Sequence, residues 1–180
     1  MKTKGEDYHL IMGCLANDRK SQRNLYNKYS PLLLGVCMRY AKNMEDAEDI
    51  LIEGFMKIFT GLNGFKNDSS LKSWMYKIMI NTAINYLKRN EKHHHTTQII
   101  EETLVDETTV LDDIPESISR KELVEQMQKM PEHFRTVLNL IALDGYSYET
   151  VSAYLSIPEA TVRSRLSKAK QYLHKQFYKQ

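Results

Sequence analysis

Strand signals are almost missing from this chain. Its 180 residues hold seven glycines and four prolines, and no run alternates apolar and polar residues as a half-buried strand would. That scarcity excludes a turn-rich sandwich or barrel and leaves an all-α fold. Cysteine is as scarce: Cys14 and Cys37 are the only two, both within apolar runs. A reduced, buried pair is expected rather than a disulfide framework, as in a reducing cytosol. No stretch reaches the ~18 apolar residues of a membrane helix, and Met1-Lys2-Thr3-Lys4 leads into no signal-peptide core, so a soluble intracellular protein is expected. Constellations for catalysis are lacking too: no nucleophile with a positioned base, no phosphate loop, no metal-ligand spacing beyond His93-His94-His95. Three consecutive histidines rarely converge on one ion, so a solvent-exposed loop is expected there, with no metal, no cofactor and no enzymatic activity.

Charge of one sign is absent from two segments. Between Lys92 and Arg120 there is no Lys or Arg, but Glu101, Glu102, Asp106, Glu107, Asp112, Asp113 and Glu116 occur. After Glu159 there is no acid, while Arg163, Arg165, Lys168, Lys170, Lys175 and Lys179 follow. The net charge of +2 therefore says little, and the distribution says more.

What is present is helical spacing. Asp7–Leu15 and Asp18–Tyr29 read as short helices opened by capping acids, and Ser30-Pro31 starts another to about Tyr40. Asn43 caps a longer helix, Met44–Phe59, whose core face is Met44, Ala47, Ile50, Leu51, Gly54, Phe55 and Ile58. Asp46, Asp49 and Glu53 line another side, with Ile52 and Met56 beside them. Two apolar side chains rimmed by carboxylates suit a protein-binding surface; the alternative is that a neighbouring helix covers them. The loop Gly61–Ser70 precedes a helix capped by Ser69 or Ser70 and running to about Arg89, apolar over most of its circumference. Its polar stripe is Ser73, Lys77, Asn81, Asn85 and Lys88, with Trp74 alongside. An aromatic among Lys and Asn, near Phe65 and Lys66, suits single-stranded DNA; Trp74 could equally be a core residue.

Asn90–Ser119 changes character and reads as a linker. Arg120–Met130 resumes helical spacing, Pro131 opens another helix to Asp144, and Gly145 ends it. Ser147–Lys170 then reads as two helices broken at Ser156-Ile157-Pro158. On the second, Val162, Leu166, Ala169 and Leu173 share one face. Arg163, Ser164, Ser167 and Lys168 fall opposite, and Arg165 lies to one flank. Such a helix suits the major groove; a solvated basic helix is the alternative. The C-terminal third is thus a four-helix domain of helix-turn-helix size.

These residues resemble a family, the two-domain sigma factors of bacterial RNA polymerase, in the extracytoplasmic-function (ECF) group. Met130-Pro131, Phe134-Arg135, Leu143–Glu149, Thr161–Leu166 and Ala169 resemble region 4. Leu25-Tyr26, Tyr29, Glu45–Asp49, Phe55, Trp74, Ile78, Asn81 and Leu87-Lys88-Arg89 resemble region 2. The resemblance implies two small helical domains, 1–92 and 120–180, joined by the acidic linker 93–119. It implies a cytoplasmic bacterial protein that binds core polymerase, at the clamp of the largest subunit and the flap of the second largest, and helps melt promoter DNA. Asp46, Asp49, Ile52, Glu53 and Met56 would meet the clamp. The loop Leu62–Ser70, with Phe65, Lys66 and Asn67, would capture an unstacked base of the −10 element, and Ser73, Trp74, Lys77 and Asn81 would hold the strand. Arg163, Ser164, Ser167 and Lys168 would read the −35 element, with Arg165 on phosphate. An inhibitory anti-sigma partner is common in the family.

The chain departs from the family's usual pattern in places. Ile52 stands where Gln is usual, Ser156 and Ala160 where Gly is common, and Asn85 where Asp is frequent. At roughly 3.3 Å per extended residue, the linker of about 28 residues spans up to ~90 Å, more than two duplex turns. Its carboxylates are repelled by DNA, so a basic channel of the polymerase is the expected place for it. The rival readings are a polymerase-independent helix-turn-helix regulator, which would footprint DNA alone, and a metal enzyme built on His93–His95, which metal analysis would reveal.

Overall fold

The computed structural model describes residues 7–66, 68–93 (backbone only at 90–93) and 118–178. Helices dominate, and no strand occurs among the described residues. The chain divides into two compact units, Met1–His94 and His95–Gln180.

The first unit contains α1 (Tyr8–Leu15), α2 (Arg19–Tyr40), α3 (Met44–Gly61), a short 3₁₀ turn (Leu62–Gly64) and α4 (Leu71–His93). Helices α2, α3 and α4 pack against one another in all three pairings, and α1 packs on α2. Asp18 caps α2 by accepting from the Lys20 and Ser21 amides, and Asn43 caps α3 by accepting from Asp46 N. Asp7 does not cap α1. Its carboxylate instead accepts from the Tyr29 hydroxyl and from Lys28 Nζ, which fastens the entry of α1 to the middle of α2.

The expected break at Ser30-Pro31 does not occur: α2 runs through Pro31. An interior proline costs a helix about 3 kcal/mol. Here Leu25, Tyr29, Leu33, Val36, Cys37 and Tyr40 form one buried seam on both sides of it, and that burial outweighs the local cost. The core face read for α3 holds except at Met44, which is 45% exposed at the helix's first position. Gly54 permits the close approach of α3 to α4, since a Cβ there would stand 2.5 Å from Met79 Sδ. Helix α4 continues through His93, past the expected end near Arg89.

The second unit contains α5 (Arg120–Lys129), α6 (Glu132–Leu138), a wider π turn (Asn139–Leu143), α7 (Tyr148–Leu155) and α8 (Glu159–Phe177). Ser119 and Glu122 form a reciprocal capping box at the start of α5. The helix expected from Pro131 to Asp144 is interrupted: Asp144 N reaches back five residues to Asn139 O at 2.9 Å, and Gly145 takes φ +73°. Helix α6 packs along α8 and carries Arg135, which is wholly buried and donates from Nη1 to Gln128 O at 3.0 Å. A cation thus meets the last turn of α5, where the helix dipole is negative. The linker 93–119, including His94 and His95, lies almost wholly outside the described residues.

Candidate functional site: a protein-binding face and two nucleic-acid surfaces

Helix α3 buries Ala47, Ile50, Leu51, Gly54, Phe55 and Ile58. The opposite stripe is bare, with Ile52 56% and Met56 65% exposed beside an exposed Asp49. Among the described residues, no neighbouring helix of the unit covers the two apolar side chains. The other two carboxylates of this face turn toward α4. Asp46 accepts from Tyr86 OH at 2.8 Å, and Glu53 takes Lys57 Nζ at 2.7 Å together with the Arg89 guanidinium. The hydrogen bond from Arg89 is the main reason the Glu53 carboxyl is held below its ordinary range, and it raises Arg89 in turn. Asp49, Ile52 and Met56 therefore face outward, while Asp46 and Glu53 also hold α3 to α4.

At the other end of α3, Phe65 and Trp74 stack at a tilt with ring centroids 5.3 Å apart, both half-buried. The Trp74 ring also lies over Gly61, where a Cβ would be 3.6 Å from Cζ2. Trp74 is accordingly the anchor of the loop as well as part of its surface. Ser70 Oγ accepts from Ser73 N, which selects Ser70 over Ser69 as the cap of α4, and the two hydroxyls share a hydrogen bond. Lys66, Lys77, Asn81 and Asn85 are exposed in line along the loop and α4. Asn67 lies outside the described residues.

In the second unit, Ser147 caps α7 by accepting from Thr150 N, and Ser156 turns the chain with φ 56° and ψ 44°. The turn is closed by Ile157 N on Ser152 O at 3.2 Å and by Ser152 Oγ on Ile157 O at 2.6 Å. Pro158 then stands at the N-terminus of α8 without a side-chain cap, and the buried face of the helix is Val162, Leu166, Ala169 and Leu173. Arg163 is exposed on the flank toward α7, with its guanidinium 4.1 Å from the Tyr148 ring centroid. Arg165 and Lys168 lie near His133 of α6, whose pKa is pushed down by burial first and by those two cations next. Ser164 and Ser167 are half-exposed. Tyr148 and His133 escaped the sequence reading because a wheel drawn for one helix shows nothing of its neighbours.

A helix-turn-helix with a cationic outer face, in one chain with a helical unit that has a bare apolar stripe and an aromatic-basic loop, defines a DNA-binding protein that also docks on a protein. Residues 25–93 match the family model for sigma-70 region 2, and residues 120–173 match that for sigma-70 region 4. The chain is 30% identical over 184 residues to the RNA polymerase sigma-H factor of Pseudomonas aeruginosa, covering 97% of this chain and 95% of that one. It is 30% identical over 174 residues to the ECF RNA polymerase sigma-E factor of Escherichia coli (strain K12), covering 92% and 91%. Among solved structures, the sigma factor RpoE in complex with the anti-sigma factor NepR from Bartonella quintana shares its fold, at TM-score 0.51 and 20% identity over 85% of this chain and 94% of that one. The chain belongs to the sigma-70 family, in its ECF group. Its function is that of a promoter-specificity factor, which binds core RNA polymerase and promoter DNA for transcription initiation.

Proposed function

We propose that the work is divided among the surfaces as follows. Asp49, Ile52 and Met56 form the outward patch that docks on the clamp of the largest polymerase subunit, with Asp46 and Glu53 orienting α3 beneath it. Phe65, Lys66, Asn67, Ser73, Trp74, Lys77 and Asn81 take the −10 element and its displaced strand. Arg163, Ser164, Ser167 and Lys168 read the −35 element in the major groove, and Arg165 contacts phosphate. The domains run 1–92 and 120–180, and the acidic segment 93–119 connects them. The protein contributes recognition and melting to polymerase in the bacterial cytoplasm and performs no catalysis of its own; no helix among its described residues is long and apolar enough to cross a membrane. RpoE of Bartonella quintana is bound by the anti-sigma factor NepR, and an inhibitor of that kind is the partner proposed to hold this factor inactive.

The observation that carries this reading is the pair of exposed apolar residues on α3, Ile52 and Met56, in a chain that also presents a cationic recognition helix. A regulator acting alone has no need of that stripe. Transcription in vitro with core polymerase over a randomised promoter library tests the division. Enriched upstream and downstream elements at fixed spacing are expected. Binding of the factor to a specific duplex without polymerase would favour the independent regulator instead.

A further inference from the structure

Glu159 and Tyr148 compete for Arg163. Glu159, one turn earlier on α8, stands 3.9 Å away between half-exposed groups. At that distance, and exposed to solvent, the pair contributes little. Tyr148, the first residue of α7, presents its ring at 4.1 Å from the guanidinium carbon. This is close for a cation over an aromatic face, and the ring is half-buried and fixed at its base by the Ser147 cap.

The two contacts have opposite consequences for reading a base. A carboxylate takes up the N–H edge of a guanidinium, the same edge that donates to the O6 and N7 of guanine. An aromatic ring takes up the face and leaves the edge pointing along its plane. A stacked arginine is thus already held in one orientation, and ordering it on the DNA costs less side-chain entropy. The turn at Ser156, in left-handed geometry, sets the angle at which α7 brings the ring to α8.

We propose that Tyr148 is a positioning residue for promoter recognition: its ring stacks on Arg163 and aims the guanidinium at a base pair of the upstream element. Tyr148 acts through Arg163, not by a contact of its own. The proposal rests on the assignment of Arg163 to base reading. It also assigns Glu159 a minor part, since its pairing with Arg163 is given up on the DNA.

The test uses the full-length factor with core polymerase and a duplex library randomised across the upstream element. Arg163→Ala identifies the base pair that Arg163 reads, by loss of preference there and nowhere else. Tyr148→Leu is expected to lower preference at that same pair by about 2- to 5-fold. It should do nothing further when combined with Arg163→Ala, and Tyr148→Phe, which keeps the ring, should retain the preference. Glu159→Gln should leave it intact. A nitrogen-15 spectrum of the free protein adds a readout that needs no DNA: the Arg163 Nε–H resonance should be displaced by the ring current in the wild type and in Tyr148→Phe, but not in Tyr148→Leu. If Arg163→Ala alters no preference, the base-reading assignment fails and the inference with it. If Arg163→Ala alters one and Tyr148→Leu does not, only the inference fails. Loss in Tyr148→Leu that is equal for all sequences, or that persists without Arg163, or is matched by Tyr148→Phe, would mean the tyrosine touches DNA itself and would overturn it.

Discussion

Truncating Ile52 to alanine should separate docking from folding. The side chain is 56% exposed in the free chain and sits on the stripe of α3 opposite the core. Ile→Ala removes three carbons, at about 0.8 kcal/mol each when fully withdrawn from water. A partner can withdraw only the exposed share, so about 1.3 kcal/mol of association free energy should be lost, roughly a tenfold rise in Kd. Met56, at 65% exposure, should behave alike on truncation. Stability should hold or improve slightly, because alanine is the better helix former and little packing is lost. The assay is fluorescence anisotropy of labelled factor titrated with core polymerase, paired with a thermal melt of the free factor. A melt lowered by several degrees with unchanged affinity would refute the reasoning, because it would make Ile52 a core residue. Ile52→Asp should weaken docking further, since it adds a carboxylate beside Glu48, Asp49 and Glu53.

Gly54→Ala gains about 1 kcal/mol of helix propensity but drives a methyl against buried Met79, which costs about 1–3 kcal/mol. Urea denaturation should show a net loss of up to about 2 kcal/mol, and a gain would contradict the close approach of α3 and α4. Ser156→Gly removes a side chain from left-handed backbone and should raise stability by up to about 1 kcal/mol, read from the same midpoints. Glu53 has a folded pKa below its ordinary 4.5, so its pairing with Arg89 stabilises the fold above that pH and is lost as pH falls through the folded value. Arg89→Met should therefore flatten the acid limb of a stability-versus-pH curve. His133 has a folded pKa below 6.5, so its neutral form is favoured in the fold, and the stability present above pH 6.5 declines as pH falls toward the folded value. His133→Gln should remove that slope in thermal melts taken below pH 6.5.

The faces of single helices could be read from the sequence because burial follows a period of 3.6. Val162, Leu166, Ala169 and Leu173 are buried as their spacing requires, and so is the α3 stripe from Ala47 to Ile58. Helix ends were readable wherever a side chain settles a free amide, as at Asp18, Asn43 and Ser147. What was not readable was whatever depends on a second helix. Pro31 looks like a breaker until α3 and α4 are present to hold both halves of α2. Asp7 looks like a cap until Tyr29 and Lys28 arrive from α2 to claim it. Arg163 looked as though it lay opposite the core face, but the wheel could not show that α7 brings an aromatic ring to it. The π turn at Asn139–Leu143 has no period of its own and left no trace in the spacing.

The same distinction bears on how the factor can be specific. One well-placed arginine discriminates a base pair by about 1–3 kcal/mol, and the −35 surface offers few such side chains. The other cations of α8, Arg165, Lys170 and Lys175, can add phosphate contacts, which are blind to sequence and weaken with salt. The proposed −10 surface would depend on a base leaving the stack, which costs a few kcal/mol before any gain. Two modest readers joined by a linker able to span ~90 Å raise each other's effective concentration only weakly unless their separation is fixed. Fixing it is what docking on polymerase supplies. On the proposed division of surfaces, the exposed stripe at Ile52 and Met56 is then what makes either reader effective. A mutation there should lower initiation at all promoters alike, by lowering occupancy of polymerase, whereas a mutation at Arg163 should relax preference at one base pair.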